Sequence, residues 1–192
     1  MTARSGMTTL ITRWRELVGG AGTAVWTDDE AQTILDGYRV DLWGHWLTDV
    51  PQMSSGTVVY QVFQAGYPNF EEIASGTAYF RVHDANGSVI GTSSWTADYQ
   101  RGILTFGTTQ AGSARYLDGR SYDLNGAAAH GWRELAGVKA ELYKFTADGA
   151  SYDRNQWFDH CLQMANYYQS MATSAAGSGV NVGFMFRSDV TY

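Results

Sequence analysis

The chain has 192 residues, 44% of them apolar and 17% charged, with a formal net charge of −6. That length suits one domain, or one domain with a large insertion, able to bury roughly 70% of its unfolded surface without staples. The acidic balance excludes a protein that wraps nucleic acid, and the single cysteine, Cys161, excludes an intramolecular disulfide.

No run of residues nears the eighteen or so apolar positions of a membrane span, and Met1–Gly6 lacks the apolar core of a secretory signal. Both point to a soluble protein made in the cytoplasm. Aromatic residues reach 14%, which calls for a dense core or for sizeable contact surfaces. The charge is uneven: residues 41–114 carry two Arg against six acids and so supply four of the six net negative charges.

In chain order, Thr8 or Thr9 can cap a short helix with Leu10, Ile11, Trp14, Leu17 and Val18 on one face, stopped at Gly19-Gly20. A second helix start is better marked. Thr27-x-x-Glu30 is a capping box, Asp28 and Asp29 add charge favourable to the helix dipole, and Ala31, Ile34, Leu35 and Tyr38 form one face. From Arg39 the pattern turns extended. Thr57–Phe63 and Thr77–His83 are rich in Val, Tyr, Phe and Thr, Asn86-Gly87 is a hairpin signal before Ser88–Ser93, and Gln100-Arg101-Gly102 is a turn before Ile103–Phe106. Residues 40–114 are expected to form an inserted antiparallel sheet of four to six strands, with Pro51 and Pro68 in its loops.

The longest helix-compatible run is Ser121 to Ala172, broken once at Thr146-Ala147-Asp148-Gly149. Leu124, Ala128, Trp132, Leu135, Val138 and Leu142 make one apolar stripe before the break. Trp157, Phe158, Cys161, Leu162, Ala165, Tyr168 and Ala172 make another after it, with Ser151 as its N-cap. Two such stripes predict an antiparallel helical hairpin. The expected fold class is therefore α+β: mainly a helical bundle of about four helices from residues 1–39 and 115–174, with the small sheet inserted and residues 175–192 trailing as linker and extended arm. In that arm Val180, Val182, Phe184 and Phe186 alternate with Asn181, Gly183, Met185 and Arg187, a one-faced strand. It reads as a partner-binding arm for another subunit by strand addition, or as a strand returning to the chain's own sheet.

Catalytic signals are missing. His45, His83, His130 and His160 fall in separate segments, with His130 and His160 on opposing helices. Asp28-Asp29 and Glu71-Glu72 read as a helix cap or solvated face rather than a carboxylate dyad. Gly19–Thr23 lacks the Lys-Ser/Thr of a phosphate loop, and no Gly-x-Ser-x-Gly elbow is present. Gly19–Thr27 is too long for a helix-turn-helix turn, and the helix after it opens with three acids. No enzyme activity, cofactor or metal is expected.

Two stretches carry a family likeness. The order of short helix, Trp26-Thr27-Asp28-Asp29-Glu30 helix, β insertion and Tyr122-Asp123-Leu124-x-Gly126-Ala127-Ala128-Ala129 resembles the head–tail adaptor (connector) proteins of long-tailed bacteriophages. So does Ala140-x-Leu142-x-Lys144-Phe145-Thr146-Ala147-Asp148-Gly149-x-Ser151-Tyr152-x-Arg154-x-Gln156. The resemblance covers about residues 8–40 and 115–172. It implies a structural virion protein of the neck: copies of the chain in a homo-oligomeric ring, usually a dodecamer, joining portal protein to a stopper or tail-completion protein. Such a ring leaves a channel through which DNA passes without sequence-specific binding, and no membrane is involved. An acidic wall suits that passage, because neutralised phosphates are what create affinity. A second reading, a carbohydrate- or ligand-binding β module on a helical stem, rests on Trp43, Trp46, Trp95 and Tyr99 as exposed aromatics.

Overall fold

The computed structural model describes residues 3–19, 25–73, 79–141 and 155–172. Among them are four helices, α1 (Thr8–Leu17), α2 (Asp28–Asp36), α3 (Leu124–Glu141) and α4 (Asn155–Met171). Seven strands accompany them: β1 (Arg39–Trp46), β2 (Thr48–Ser54), β3 (Thr57–Gln64), β4 (Arg81–His83), β5 (Trp95–Asp98), β6 (Ile103–Phe106) and β7 (Tyr116–Tyr122). The fold is α+β, but the expectation of a mainly helical bundle is wrong. Seven strands in two antiparallel sheets stand beside four helices, so the β part is a full layer rather than an appendage.

One sheet has the order β1-β7-β4 and the other β2-β3-β6-β5. Their apolar faces share one core, in which Leu42, Val82 and Leu117 of the first sheet meet Phe63, Trp95, Leu104 and Phe106 of the second. Leu47, buried between β1 and β2, marks where the chain crosses from one sheet to the other. The strand that sequence periodicity misses is β7. Ser121 and Tyr122, at the start of the helix-compatible run, belong to it and pair with Val40 and Arg39 some 80 residues earlier. Pairing across that separation, rather than local propensity, makes this stretch extended.

The helices enclose a second core of Met7, Leu10, Trp14, Leu35, Ala127, Ala128, Trp132, Leu135, Cys161 and Ala165. The Thr27–Glu30 box forms as expected, Thr27 Oγ1 accepting from Glu30 N and the Glu30 carboxylate from Thr27 N at 2.7 Å. Thr8 does not cap α1. A single 3₁₀ turn, Ser5–Met7, leads in, and the Thr8 hydroxyl donates to the Ser5 carbonyl at 3.0 Å. Asn125 touches Met171 and Trp132 touches His160, so α3 and α4 run antiparallel. The expected stripe on α4 is narrower than the sequence implies: Cys161 and Ala165 are buried, whereas Trp157 and Leu162 are exposed. The Thr146–Gly149 turn, Ser151, Leu142 and everything after residue 172 lie outside the described residues.

Two further expectations shift. Ser88–Ser93 makes one isolated bridge, His83 to Val89, instead of a strand. The Asn86-Gly87 turn before it is held by the Asp84 carboxylate, which accepts from Asn86 N and Ser88 N. Pro51 sits within β2 rather than in a loop, at an irregularity of an edge strand, where a missing N–H is tolerated.

Gly102 closes the β5–β6 turn at φ +65°, and a Cβ there would overlap the Tyr67 carbonyl. Gly102→Ala therefore combines a left-handed backbone with a clash and should cost about 3 kcal/mol, whereas Thr27→Ala loses one cap and should cost about 1 kcal/mol. Urea titrations of the two variants check this, and equal losses would contradict it.

Candidate functional site

The two layers meet at a charge cluster, buried at Glu71 and Tyr122 and half-buried around them, that local sequence spacing does not announce. Glu71, read from sequence as part of a solvated acidic pair, is 1% exposed. Arg4, just ahead of α1, places Nε 2.9 Å from Glu71 Oε1 and donates to both oxygens of Asp36, on α2, at 2.7 and 2.9 Å. The Tyr122 hydroxyl, from β7, donates to Glu71 at 2.9 Å and accepts from Arg4 at 3.0 Å. Arg120 lies 3.5 Å from Glu71 and 3.4 Å from Asp41, with its guanidinium 3.5 Å from the centre of the Tyr79 ring. Arg39 bridges Asp36 and Asp41.

Charge neutralisation explains how so many ions sit together. Burial pushes the Asp36 carboxyl up, but hydrogen bonds and charge from Arg4, with Arg39 behind them, hold it below the usual carboxylate range. The Asp36 hydrogen bond, opposed by burial and helped by Glu71, raises Arg4 further above its ordinary value. Burial, followed by the Glu71 charge, pushes the Tyr122 phenol well above its ordinary range, so it stays a donor. Each carboxylate faces an Arg and the phenol keeps its proton. The cluster is built to fasten the layers rather than to move protons. The contacts of Arg4 alone span 32 to 118 residues of sequence, so no short motif could have exposed the cluster.

The histidines do not converge. His130 lies beside Tyr38 and Glu134, His160 beside Trp132 and Trp157, and His45 Nε2 is 2.7 Å from the Ala65 carbonyl oxygen. Among the described residues no group of three or more His, Cys, Asp or Glu could hold a metal. A cleft of about 790 Å³ beside α2 and α3 is lined, among the described residues, by Val25, Trp26, Ile34 and Leu135 with Asp29, Glu30 and Glu134 around them.

Exposed apolar side chains are the more informative feature. Trp43 is 78% and Trp46 61% exposed, while Leu42 and Leu47 on either side are buried. A three-residue spacing on a regular strand would send the two indoles to opposite faces. The register of β1 breaks between Leu42 and His45, where Gly44 takes φ +55° and donates its N–H to Asp118 Oδ1 at 2.6 Å. This bulge turns both tryptophans outward, and Trp46 then meets Tyr116 of β7 edge-on at 6.2 Å. Asp118 Oδ2 also lies 2.9 Å from His83 Nε2 on β4, so one carboxylate fixes both flanks of the sheet. Met53 (70%) and Val58 (48%) pair across the β2–β3 hairpin, and α4 exposes Trp157, Leu162, Tyr167 and Met171.

Of the sequence-predicted residues, Trp95 is 6% exposed and Tyr99 packs on Phe80 at 5.0 Å, so neither joins an outward platform. The arm residues Val180, Val182, Phe184 and Phe186 lie outside the described residues. Among the described residues no helix is long and apolar enough to cross a membrane. No family model, curated protein or solved structure matches the chain.

Glu71→Gln keeps the shape of the side chain and deletes its charge. It should cost about 3 kcal/mol, the low end for breaking a buried pair because Arg4 keeps Asp36, and a loss below 1 kcal/mol in urea titration would contradict the cluster's role. Asp36 is depressed in the folded state, so its stabilising contribution is present above the unfolded carboxylate range and lost as pH falls through the folded value. Acid titration of stability should consequently be shallower in Asp36→Asn than in the parent chain; identical slopes would contradict the assignment.

Proposed function

We propose that this chain is a head–tail adaptor subunit of a long-tailed bacteriophage virion, assembling as a ring of about twelve copies between portal and stopper or tail-completion protein, around a channel for DNA. What carries the reading, beside the sequence resemblance, is the distribution of exposed apolar side chains over unlike elements. A subunit of a closed ring needs two different complementary surfaces, because each head-to-tail contact joins one patch to another. Trp43 and Trp46 on β1, Met53 and Val58 on the hairpin, and Trp157, Leu162, Tyr167 and Met171 on α4 are separate surfaces of that kind. Aromatic residues are also the side chains that most often anchor interfaces.

The charge of the middle third supports the channel less simply than composition implies. Of its six acids, Glu71 and Asp41 are matched by Arg4, Arg39 and Arg120 from outside that third. Asp98 stands 3.9 Å from Arg101, which leaves Asp49, Glu72 and Asp84 to repel a passing polyanion. The alternative reading, a carbohydrate- or ligand-binding β module, keeps Trp43 and Trp46 but loses Trp95 to the core and Tyr99 to a half-buried place against it.

Negative-stain imaging and light scattering of the purified chain, alone and with portal protein, test the proposal. Closed rings, or stoichiometric capture by portal, are expected. A monomer that ignores portal at every concentration tried would overturn it.

A further inference from the structure

The four sheet edges are not alike. β4 is three residues long, and beside it Val89 bridges to His83 while Ile90 N donates to the Val82 carbonyl. β2 is interrupted at Pro51 and carries Asp49, and β5 is only four residues long. These are familiar ways of blunting an edge. β1 is eight residues long, pairs only with β7 among the described residues and is bulged between Leu42 and His45, but from Trp43 to Trp46 it bears no proline, acid, lysine or arginine. Two outward tryptophans beside an unpaired backbone edge form a surface suited to an extended apolar segment, with the backbone supplying hydrogen bonds and the indoles supplying contact.

We infer that β1, between Trp43 and Trp46, receives residues 180–186 of a neighbouring copy of this chain as an added antiparallel strand. This rests on the reading of the chain as an assembling subunit and names the contact. The segment has the required period: Val180, Val182, Phe184 and Phe186 present one apolar face. It also has the reach. Phe184 lies thirteen residue steps beyond Met171, at most about 45 Å of chain, against a body roughly 40 Å across. The Met171 carbonyl accepts from Asn125, three residues after Tyr122, and Tyr122 pairs with Arg39, so the described chain ends beside the Arg39 end of β1. The nine steps from Met171 to Val180 span up to about 30 Å, more than the length of β1, so the reach suffices for antiparallel pairing, the commoner and slightly stronger arrangement, on β1 of either copy. The head-to-tail contact of a closed ring, which joins one patch of a copy to a different patch of the next, selects the neighbour.

The test is photo-crosslinking in the full-length chain carrying Trp43→p-benzoylphenylalanine, with isotopically light and heavy copies mixed in equal amounts. Cross-links from position 43 to residues 180–186 between light and heavy copies are expected, falling on the order of tenfold when Phe184→Ser is added. Cross-links confined to single copies, or none to that segment across the soluble concentration range, would overturn the inference. The two readings fail separately. Light–heavy cross-links in a protein that forms no ring and ignores portal would sink the adaptor reading alone. Portal-bound rings without the cross-link would sink the strand docking alone.

Discussion

A buried carboxylate is expensive unless its neighbours pay in kind, and Glu71 sets that condition for the whole molecule. Its partners come from the segment before α1 and from β7, with Asp36 on α2 sharing Arg4 and Asp41 on β1 sharing Arg120. The site is satisfied only when the helical layer and the β layer lie in one relative position. Neighbouring contacts point the same way: Glu72 N donates to the Gly6 carbonyl at 3.1 Å and Arg13 of α1 donates to the Asn69 side chain at 2.7 Å. Apolar packing supplies most of the stability of each core, but it is tolerant of small slips. The ionic junction is not, because a displaced Arg4 would leave a desolvated charge behind.

Asp118 does for one sheet what Glu71 does for the two layers. By accepting from Gly44 N and lying within hydrogen-bonding distance of His83 Nε2, it joins the bulged edge of β1 to β4 across β7. The bulge is therefore a held feature of the sheet, and its consequence is the outward pair of tryptophans. Folding and presentation are coupled at this point: the carboxylate that completes the sheet also aims its exposed surface.

What could be read from sequence follows from the range of the forces involved. The Thr27–Glu30 box, β3, β6, the Gln100–Gly102 turn and the apolar stripe of α3 through Leu135 are all set by residues within a few positions of each other, and all are present. β7 and Glu71 are not local. Tyr116–Tyr122 is a strand because Arg39–Trp46 lies beside it, and Glu71 is buried because Arg4, 67 residues away, meets it there. The error of treating the β portion as an appendage came from the same source, since two sheets sharing a core need strands from distant parts of the chain. The outward pair of tryptophans was half legible. Exposure of Trp43 and Trp46 was foreseen, whereas the bulge that puts them on one face depends on the positive φ of Gly44 and its bond to Asp118.

Together these features describe a body locked internally, with the outer edge of β1 unpaired among the described residues. Hydrogen exchange of the full-length chain, compared at low and high concentration, addresses that division directly. The account predicts that peptides covering Phe70–Glu71 and Tyr116–Tyr122 are protected in both conditions, while the peptide covering β1 gains protection only as copies associate. Full protection of β1 in the dilute monomer, or association that leaves its exchange unchanged, would contradict it.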